Sequence, residues 1–217
     1  MKPLFIGFLY YLLFSFSALT QNDSVKVFLF PDYQEGMIIY KNGTKAKAKF
    51  NYNLFTEEMW FINQQQDEDV VMILDHLTEI GSLTIDDRRF VPVKNVFYEC
   101  VTAGNGDFYV QRKAMKTSRG KNVGLGYSTS SASTNVGYFS PQAKILESTD
   151  LFEGREENVF FLKDSKGSFK KFDSAKLLGK IFKGHESEIE SYAKAHFIDF
   201  TKQEDVSRIV KFAYERN

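Results

Sequence analysis

Residues 42–62, which read NGTKAKAKFNYNLFTEEMWFI, decide the fold. The stretch opens with Asn42-Gly43, a dipeptide that suits a tight hairpin turn because both positions tolerate positive φ. Small and aromatic residues then alternate with polar ones, a period of two that is typical of a strand with one buried face. A short break and a heavier apolar run follow. The pattern predicts a framework hairpin in which Phe50 and Tyr52 face the core.

The polar side of this strand carries Lys45, Lys47 and Lys49, which share one face. One interpretation is a basic stripe that contacts an anionic surface, a glycan or lipopolysaccharide. The other is the solvent face of an outer strand, whose charges prevent edge pairing. The sequence leaves both open, and the three lysines are its candidates for a surface contact.

Further strands are predicted on both sides of this hairpin. Their positions are residues 25–30, 37–40, 70–74, 77–85, 90–93, 96–101, 108–112, 159–163 and 168–172. The run at 70–74 is continuously apolar, which fits a strand buried on both faces or at the centre of a sheet. Pro92 indicates an edge strand or a strand end, because proline lacks the N–H that a ladder needs. Residues 104–107 and 164–167 are the turns of two more hairpins.

From Asp173 the apolar period changes from two to 3.6, which predicts two or three short amphipathic helices. Thr201 and Glu204 have the spacing of a capping box at the start of the last one. Such short helices are not stable alone, so their apolar stripes must pack on each other or on the sheet. The predicted fold is mainly β, of the α+β class. It combines an antiparallel, barrel-like or sandwich-like body over residues 21–172 with a helical tail over residues 173–217.

Residues 1–20 have the three parts of a secretory signal peptide: a positive start, an apolar core and a small-residue end. The expected cleavage is before Gln21. The apolar core spans about 13 residues, fewer than the roughly 20 that a spanning helix requires. No later stretch is apolar enough to cross a membrane. The sequence therefore predicts export to the periplasm, the outer membrane or the extracellular space.

Composition narrows the classes of partner and cofactor. The chain has 28 basic and 28 acidic residues, so no net field favours nucleic acid. Cys100 is the single cysteine, which excludes an intrachain disulfide and Cys-rich zinc sites. Its strand-like surroundings favour a small buried hydrophobe over a nucleophile.

No catalytic, cofactor or metal residue is predicted. His76, His185 and His196 are too far apart to give two ligands on one helix face. Residues 117–141 are dense in Ser, Thr and Gly and predict a long loop. Their GKNVGLG run lacks the Lys-Ser/Thr of a phosphate loop, and Ser128 lacks the second glycine of a nucleophile elbow. The acidic run at 67–69 lacks the spacing of a calcium loop.

Four aromatic residues allow two interpretations. Trp60, Phe61, Tyr98 and Tyr109 could form a platform for a sugar, since such rings pair an apolar body with a polar tip. In a chain with 22 phenylalanines, core positions are the simpler interpretation.

The run Asn51-Tyr52-Asn53-Leu54 and the Met59-Trp60-Phe61 that follows it resemble a family of exported proteins of Bacteroidota-type Gram-negative bacteria. The resemblance continues in Arg89-Phe90, in the Gly-Tyr-Ser/Thr-rich residues 126–133, and in a tail pattern of Ile189, Tyr192, Ile198 and Phe200. It covers most of the mature chain. It implies export and a β-rich body with a helical end, and it has no known activity to transfer.

Three functions stay open on the sequence. The first is a non-enzymatic interaction or structural protein of the envelope or cell surface, whose partner would be an envelope protein or a glycan. The second is a periplasmic carrier of a small apolar ligand or lipid, held in a cavity of the sheet. The third is a hydrolase whose residues assemble only in the fold.

Overall fold

The computed structural model describes residues 24–63, 70–116, 151–164 and 166–216. The predicted signal peptide and the Ser- and Gly-rich segment at 117–141, with Ser128 and the GKNVGLG run, lie outside the described residues. The acidic run at 67–69 lies outside them as well.

One antiparallel sheet of eleven strands forms the body of the molecule. The strands are β1 (Ser24–Lys26), β2 (Gln34–Tyr40), β3 (Lys45–Asn53), β4 (Glu58–Asn63), β5 (Val70–Ile73), β6 (Ile80–Ile85), β7 (Arg88–Val93), β8 (Val96–Ala103), β9 (Gly106–Lys116), β10 (Leu151–Lys163) and β11 (Phe169–Phe172). Their order across the sheet is β1-β10-β9-β8-β7-β6-β2-β3-β4-β5, and β11 pairs with β10. Three helices follow: α1 (Ala175–Ile181), α2 (Glu186–Ala195) and α3 (Gln203–Arg216). The predicted mainly β fold with a helical tail is confirmed.

The β2–β3 hairpin forms where Asn42-Gly43 predicted it. Gly43 has a φ of 87°, and its N–H donates to the Tyr40 carbonyl at 2.9 Å. Phe50 and Tyr52 are fully buried, as the alternation predicted. The Tyr52 hydroxyl, near the end of β3, donates to the Arg112 carbonyl on β9 at 3.1 Å, although four strands lie between β3 and β9 in the order of the sheet. The sheet is therefore strongly curled.

The segment after β1 completes the curl. Val27 and Leu29 exchange backbone hydrogen bonds with the end of β3, at 2.8 Å to Leu54 and 2.9 Å to Tyr52. The Asn51 side chain accepts from the Phe30 N–H at 3.1 Å and donates to the Phe30 carbonyl at 3.0 Å. Asn51 is consequently buried, although it lies on the polar side of the alternating strand.

Two hydrophobic cores lie on the face of the sheet that carries Phe97, Phe108 and Phe160, here called the inner face. The first core surrounds Phe50 and Phe97 within the curl. The second joins Phe108 and Phe160 to the apolar stripes of the three helices, including Leu178 of α1, Ile189 of α2 and Ile209 of α3. The helical tail thus packs on the inner face of β8–β11, as its stripes required.

The turn between β8 and β9 shows how closely α3 approaches the sheet. The Tyr214 hydroxyl donates to the Asp107 carbonyl at 2.9 Å. A Cβ atom at Gly106 would stand 2.3 Å from the Tyr214 ring, so only glycine allows this contact.

Two predictions about single elements need correction. β5 is not buried: β4 is its only neighbour among the strands that the structure describes, and Val70, Met72 and Ile73 are exposed. A continuous apolar run does not reveal how many neighbours a strand has. The start of α3 also differs from the predicted capping box. Asp205 accepts from the Asp199 N–H at 2.9 Å, and Asp199 in turn accepts from the Thr201 N–H and hydroxyl.

A third correction concerns the lysine strand, which is not an outer strand because β3 lies between β2 and β4. Lys45, Lys47 and Lys49 nevertheless point outward on a part of β3 that is open to solvent. Lys45 and Lys47 are exposed and Lys49 is half-buried.

Candidate binding groove

A groove of about 300 Å³ opens on the outer face of the sheet, where β6 and β7 separate. Their ladder runs from Ile85 opposite Arg88 to Leu83 opposite Phe90 and ends there. Beyond that point β6 pairs only with β2, and β7 pairs only with β8. Residues just beyond the end of this ladder, Ile80 and Gly81 of β6 and Val91 and Pro92 of β7, line the groove.

Pro92 lies where this divergence occurs. β7 and β8 are joined by a two-residue turn at Lys94-Asn95, with Val93 opposite Val96. The two residues that flank such a turn form backbone hydrogen bonds with each other. Successive residues of a strand direct their N–H and C=O groups to alternate sides, so the residue before Val93 directs its backbone groups away from β8. The nitrogen of Pro92 therefore faces the side that β6 has left, and proline has no N–H to leave unpaired there. Pro92 is a strand end within the sheet, one of the two positions predicted for it.

Three lysines from separate elements surround the groove. Lys41 follows β2, Lys94 is in the β7–β8 turn, and Lys163 ends β10; all three are exposed. None of them forms an ion pair with a carboxylate in the described part of the chain, where the paired lysines are others, such as Lys113 and Lys170. No Asp or Glu is among the described residues that line the groove. The groove thus presents three uncompensated positive charges.

The remaining lining residues are mostly apolar or aromatic, although polar atoms contribute somewhat more of the groove's surface than apolar atoms do. These residues include Leu77, Ile80, Val91, Pro92, Tyr109 and Phe169. The Phe169 ring meets Tyr109 edge-on, with 4.9 Å between centroids, and Lys163 Nζ lies 5.8 Å from the Phe169 centroid. Such a cation–π contact holds an ammonium group near the ring without neutralising its charge.

Tyr98 and Tyr109, two of the four candidate platform residues, belong to this outer aromatic cluster. Tyr98 is buried, stacked on Phe161 with 4.7 Å between centroids and edge-on to Phe169 at 5.3 Å. Tyr109 reaches the groove itself. Burial, with smaller contributions from Cys100 and Asp107, raises the pKa of Tyr109 to about 12, so its hydroxyl stays neutral at physiological pH.

Lys94 has an uncommon backbone conformation, with a φ of 58°. The left-handed region costs a non-glycine residue roughly 1–2 kcal/mol, and asparagine or glycine usually occupies it. A two-residue hairpin turn requires positive φ at this position, and Asp86 in the β6–β7 turn has the same conformation. Lys94 thus places an ammonium group at the groove, where the asparagine or glycine that is usual in this conformation would carry no charge.

Cys100 is half-buried and not the buried small hydrophobe that the sequence predicted, and its environment is polar. Arg89 Nη2 lies 2.7 Å from the Cys100 sulfur and 2.9 Å from Asp107 Oδ2. Burial raises the pKa of the Cys100 thiol, and Arg89 only partly opposes that effect. Because the thiolate is the reactive form, this environment agrees with a structural cysteine.

An ionic cluster of opposite character lies on the inner face, between the two cores. The Glu99 carboxylate accepts from Arg88 Nε and Nη2, both at 2.7 Å, and from Arg112 Nε at 2.6 Å. The side chains of Glu99 and Arg112 are only 7% and 12% exposed. Arg112 also donates to Gln203 of α3, which ties the cluster to the helical tail. Burial would raise the pKa of Glu99, but the two arginines together hold it below its usual value.

The other candidates from the sequence are dispersed. Lys45, Lys47 and Lys49 do not line the groove. Trp60 packs edge-on against Phe28, and Phe61 packs against Phe50, so neither joins the outer aromatic cluster.

The histidines do not converge on one site. His76 is exposed beside Asp75, and His185 and His196 flank α2. No group of three or more His, Cys, Asp or Glu residues within the described ranges is placed to hold a metal ion.

Sequence reasoning missed the three groove lysines because they are single residues far apart in the chain. Only the order of the strands brings residues 41, 94 and 163 together. Pro92 was the one available signal, since it indicated a position where pairing ends.

No family model, curated protein or solved structure matches the chain. None of the helices that the structure describes has the length and hydrophobicity required to cross a membrane.

Proposed function

We propose that this protein is an exported, non-enzymatic interaction protein of the cell envelope or surface, and that the outer groove holds its ligand. The observation that carries the proposal is a groove with apolar and aromatic side chains and three exposed ammonium groups, none of which has an ion-pair partner among the residues that the structure describes. Isolated charge of one sign in a concave site attracts a partner of opposite sign, and apolar walls with a few polar groups are typical of ligand sites.

Export is part of the proposal and rests on residues 1–20. The expected result is a mature chain that begins at Gln21 and is found in the periplasm, the outer membrane or the medium. Fractionation of cells that express the complete sequence, with mass spectrometry of the N-terminus, tests it. An intact N-terminus in the cytoplasmic fraction would contradict export.

The binding role is tested with two matched variants. The groove variant carries Lys41→Gln, Lys94→Gln and Lys163→Gln; glutamine removes the charge and, like lysine, is a non-glycine residue at the left-handed position 94, so the backbone strain there is unchanged. The stripe variant carries Lys45→Gln, Lys47→Gln and Lys49→Gln and removes the same charge elsewhere on the surface.

Tagged wild-type and variant proteins, expressed from the complete sequence, are used to capture protein and glycan from envelope extracts. We expect the wild type and the stripe variant to retain a defined component and the groove variant to lose it. If the wild type retains nothing beyond a tag-only control, the interaction role is wrong. If only the stripe variant loses the component, the contact lies on β3, as Lys45, Lys47 and Lys49 first indicated, and not in the groove.

Nothing in the described part of the chain favours the other two functions, a carrier of an apolar ligand and a hydrolase, over this proposal. The interior of the curl is occupied by side chains such as Phe50, Tyr52 and Phe90, each fully buried. Burial of Tyr52 and its hydrogen bond to the Arg112 carbonyl make it part of the framework.

A further inference from the structure

We propose that the ligand of the outer groove is an acidic glycan, a sugar chain that carries carboxylate or sulfate groups. This inference rests on the proposed function, since it names the ligand class of the same site. It follows from three properties of the groove: the arrangement of its charges, the character of its lining and the backbone of its edge.

The charges of the groove come from three separate elements and not from the face of one strand. Lys41, Lys94 and Lys163 belong to three elements that are far apart in the chain. A lysine ammonium is a compact charge with three donors on a flexible stem, and it accepts carboxylate and sulfate without demanding one geometry. Three such groups suit a ligand with several separated anionic groups, as an acidic polysaccharide has.

The lining of the groove suits a sugar ring. A pyranose has a face of C–H groups and an edge of hydroxyls, so it requires flat apolar contacts bordered by polar groups. Val91, Phe169 and the Tyr109 ring, which lie on the outer face, supply apolar contacts, and the ammonium groups of the three groove lysines supply hydrogen-bond donors for hydroxyls. A simple inorganic anion would leave this surface unused.

The edge of the groove disfavours the main competing ligand, an acidic peptide in extended form. A peptide that added to the open side of β7 would gain its affinity from main-chain hydrogen bonds. Residue 92 is where β7 should donate a backbone N–H to that peptide, but Pro92 has no N–H. The groove is therefore better suited to a ligand that offers negative charges and sugar rings than to a peptide that adds as a further strand.

The test is titration of the purified protein by calorimetry with four defined probes at low ionic strength. Oligogalacturonate carries carboxylates, a heparin-derived oligosaccharide carries sulfates, a maltose oligosaccharide is neutral, and an oligo-glutamate peptide carries charge without sugar. We expect binding of one or both acidic oligosaccharides, weakened by added salt because the charges are exposed. We expect much weaker binding of the neutral sugar and of the peptide. The first two probes also distinguish carboxylate from sulfate as the anionic group.

The groove and stripe variants control for non-specific attraction. In the groove variant the dissociation constant should rise about tenfold, because a factor of a few for each exposed charge multiplies over three contacts. In the stripe variant it should stay within about twofold of the wild type. Unchanged thermal unfolding of both variants shows that the fold is retained.

Three results would overturn the acidic-glycan inference. These are no binding of either acidic oligosaccharide, equal weakening by the two variants, and binding of oligo-glutamate as tightly as the sugars. The capture experiment separates these failures from failure of the proposed function. A groove-dependent envelope component that is not a glycan would leave the interaction role intact and exclude the ligand class.

Discussion

The Glu99 cluster on the inner face and the groove on the outer face hold charge in opposite ways. On the inner face, Glu99 is enclosed by two arginines at hydrogen-bond distance and is almost completely removed from solvent. On the outer face, the groove lysines are exposed and have no described anionic partner. The first arrangement satisfies its charges inside the protein, whereas the second leaves them available to something outside it. Pairing and burial thus distinguish charges that stabilise the fold from charges that can bind a ligand.

The largest expected effect is on the inner face. Glu99→Gln removes the anion between Arg88 and Arg112 and leaves two buried cations facing each other without compensation. Breaking a buried pair in this way costs roughly 3–5 kcal/mol, and we expect about 3 kcal/mol here because Arg88 is 26% exposed. Urea unfolding measures the loss. A loss below about 0.5 kcal/mol would show that the cluster does not stabilise the fold.

The same cluster predicts a pH dependence. The folded pKa of Glu99 lies below its unfolded value of about 4.3. Its contribution is therefore present above that unfolded value and is lost as the pH falls through the lower, folded pKa. The stability difference between the wild type and Glu99→Gln should be constant from neutral pH to about pH 5 and shrink below about pH 4. Urea midpoints at several pH values test this, and a difference that grows on acidification would reverse the assigned sign.

An intermediate effect is expected at the aromatic wall of the groove. Phe169→Leu removes the ring that contacts Tyr98, Tyr109 and Lys163 but keeps an apolar side chain. The half-buried position should lose about 1 kcal/mol of unfolding free energy, the value of its aromatic contacts. Tyr40→Leu, at a half-buried position that does not line the groove, is the control for affinity. If Phe169→Leu leaves ligand affinity unchanged, the aromatic wall is only structural.

The strand pattern explains why the fold was more predictable than the site. Alternation around Phe50 and the Asn42-Gly43 turn are local signals, so the hairpins and the buried face could be predicted from the sequence. The exposure of Val70–Ile73 could not, because it depends on which strands are neighbours. Burial of Asn51 could not either, because Phe30, its hydrogen-bond partner, reaches it only through the curl of the chain.

The candidate site depends still more on strand order. The groove exists because the β6–β7 ladder ends at Phe90, and its charges come from positions 41, 94 and 163. Glu99 and Arg112 are likewise joined by the register of β8 and β9, which no local pattern specifies. A sequence pattern shows which face of a strand is buried, but it does not show where two neighbouring strands separate.

The smallest expected effect on stability is also the most informative, and it is measured on the groove and stripe variants. The central claim is that the groove lysines serve binding and contribute little to the fold. One comparison tests it: the dissociation constant for an acidic oligosaccharide and the free energy of unfolding of the wild type and both variants in one buffer. The account predicts that only the groove variant loses about tenfold in affinity and that all three proteins agree in stability within about 0.5 kcal/mol. An unchanged affinity in the groove variant, or an equal loss in both variants, would contradict it.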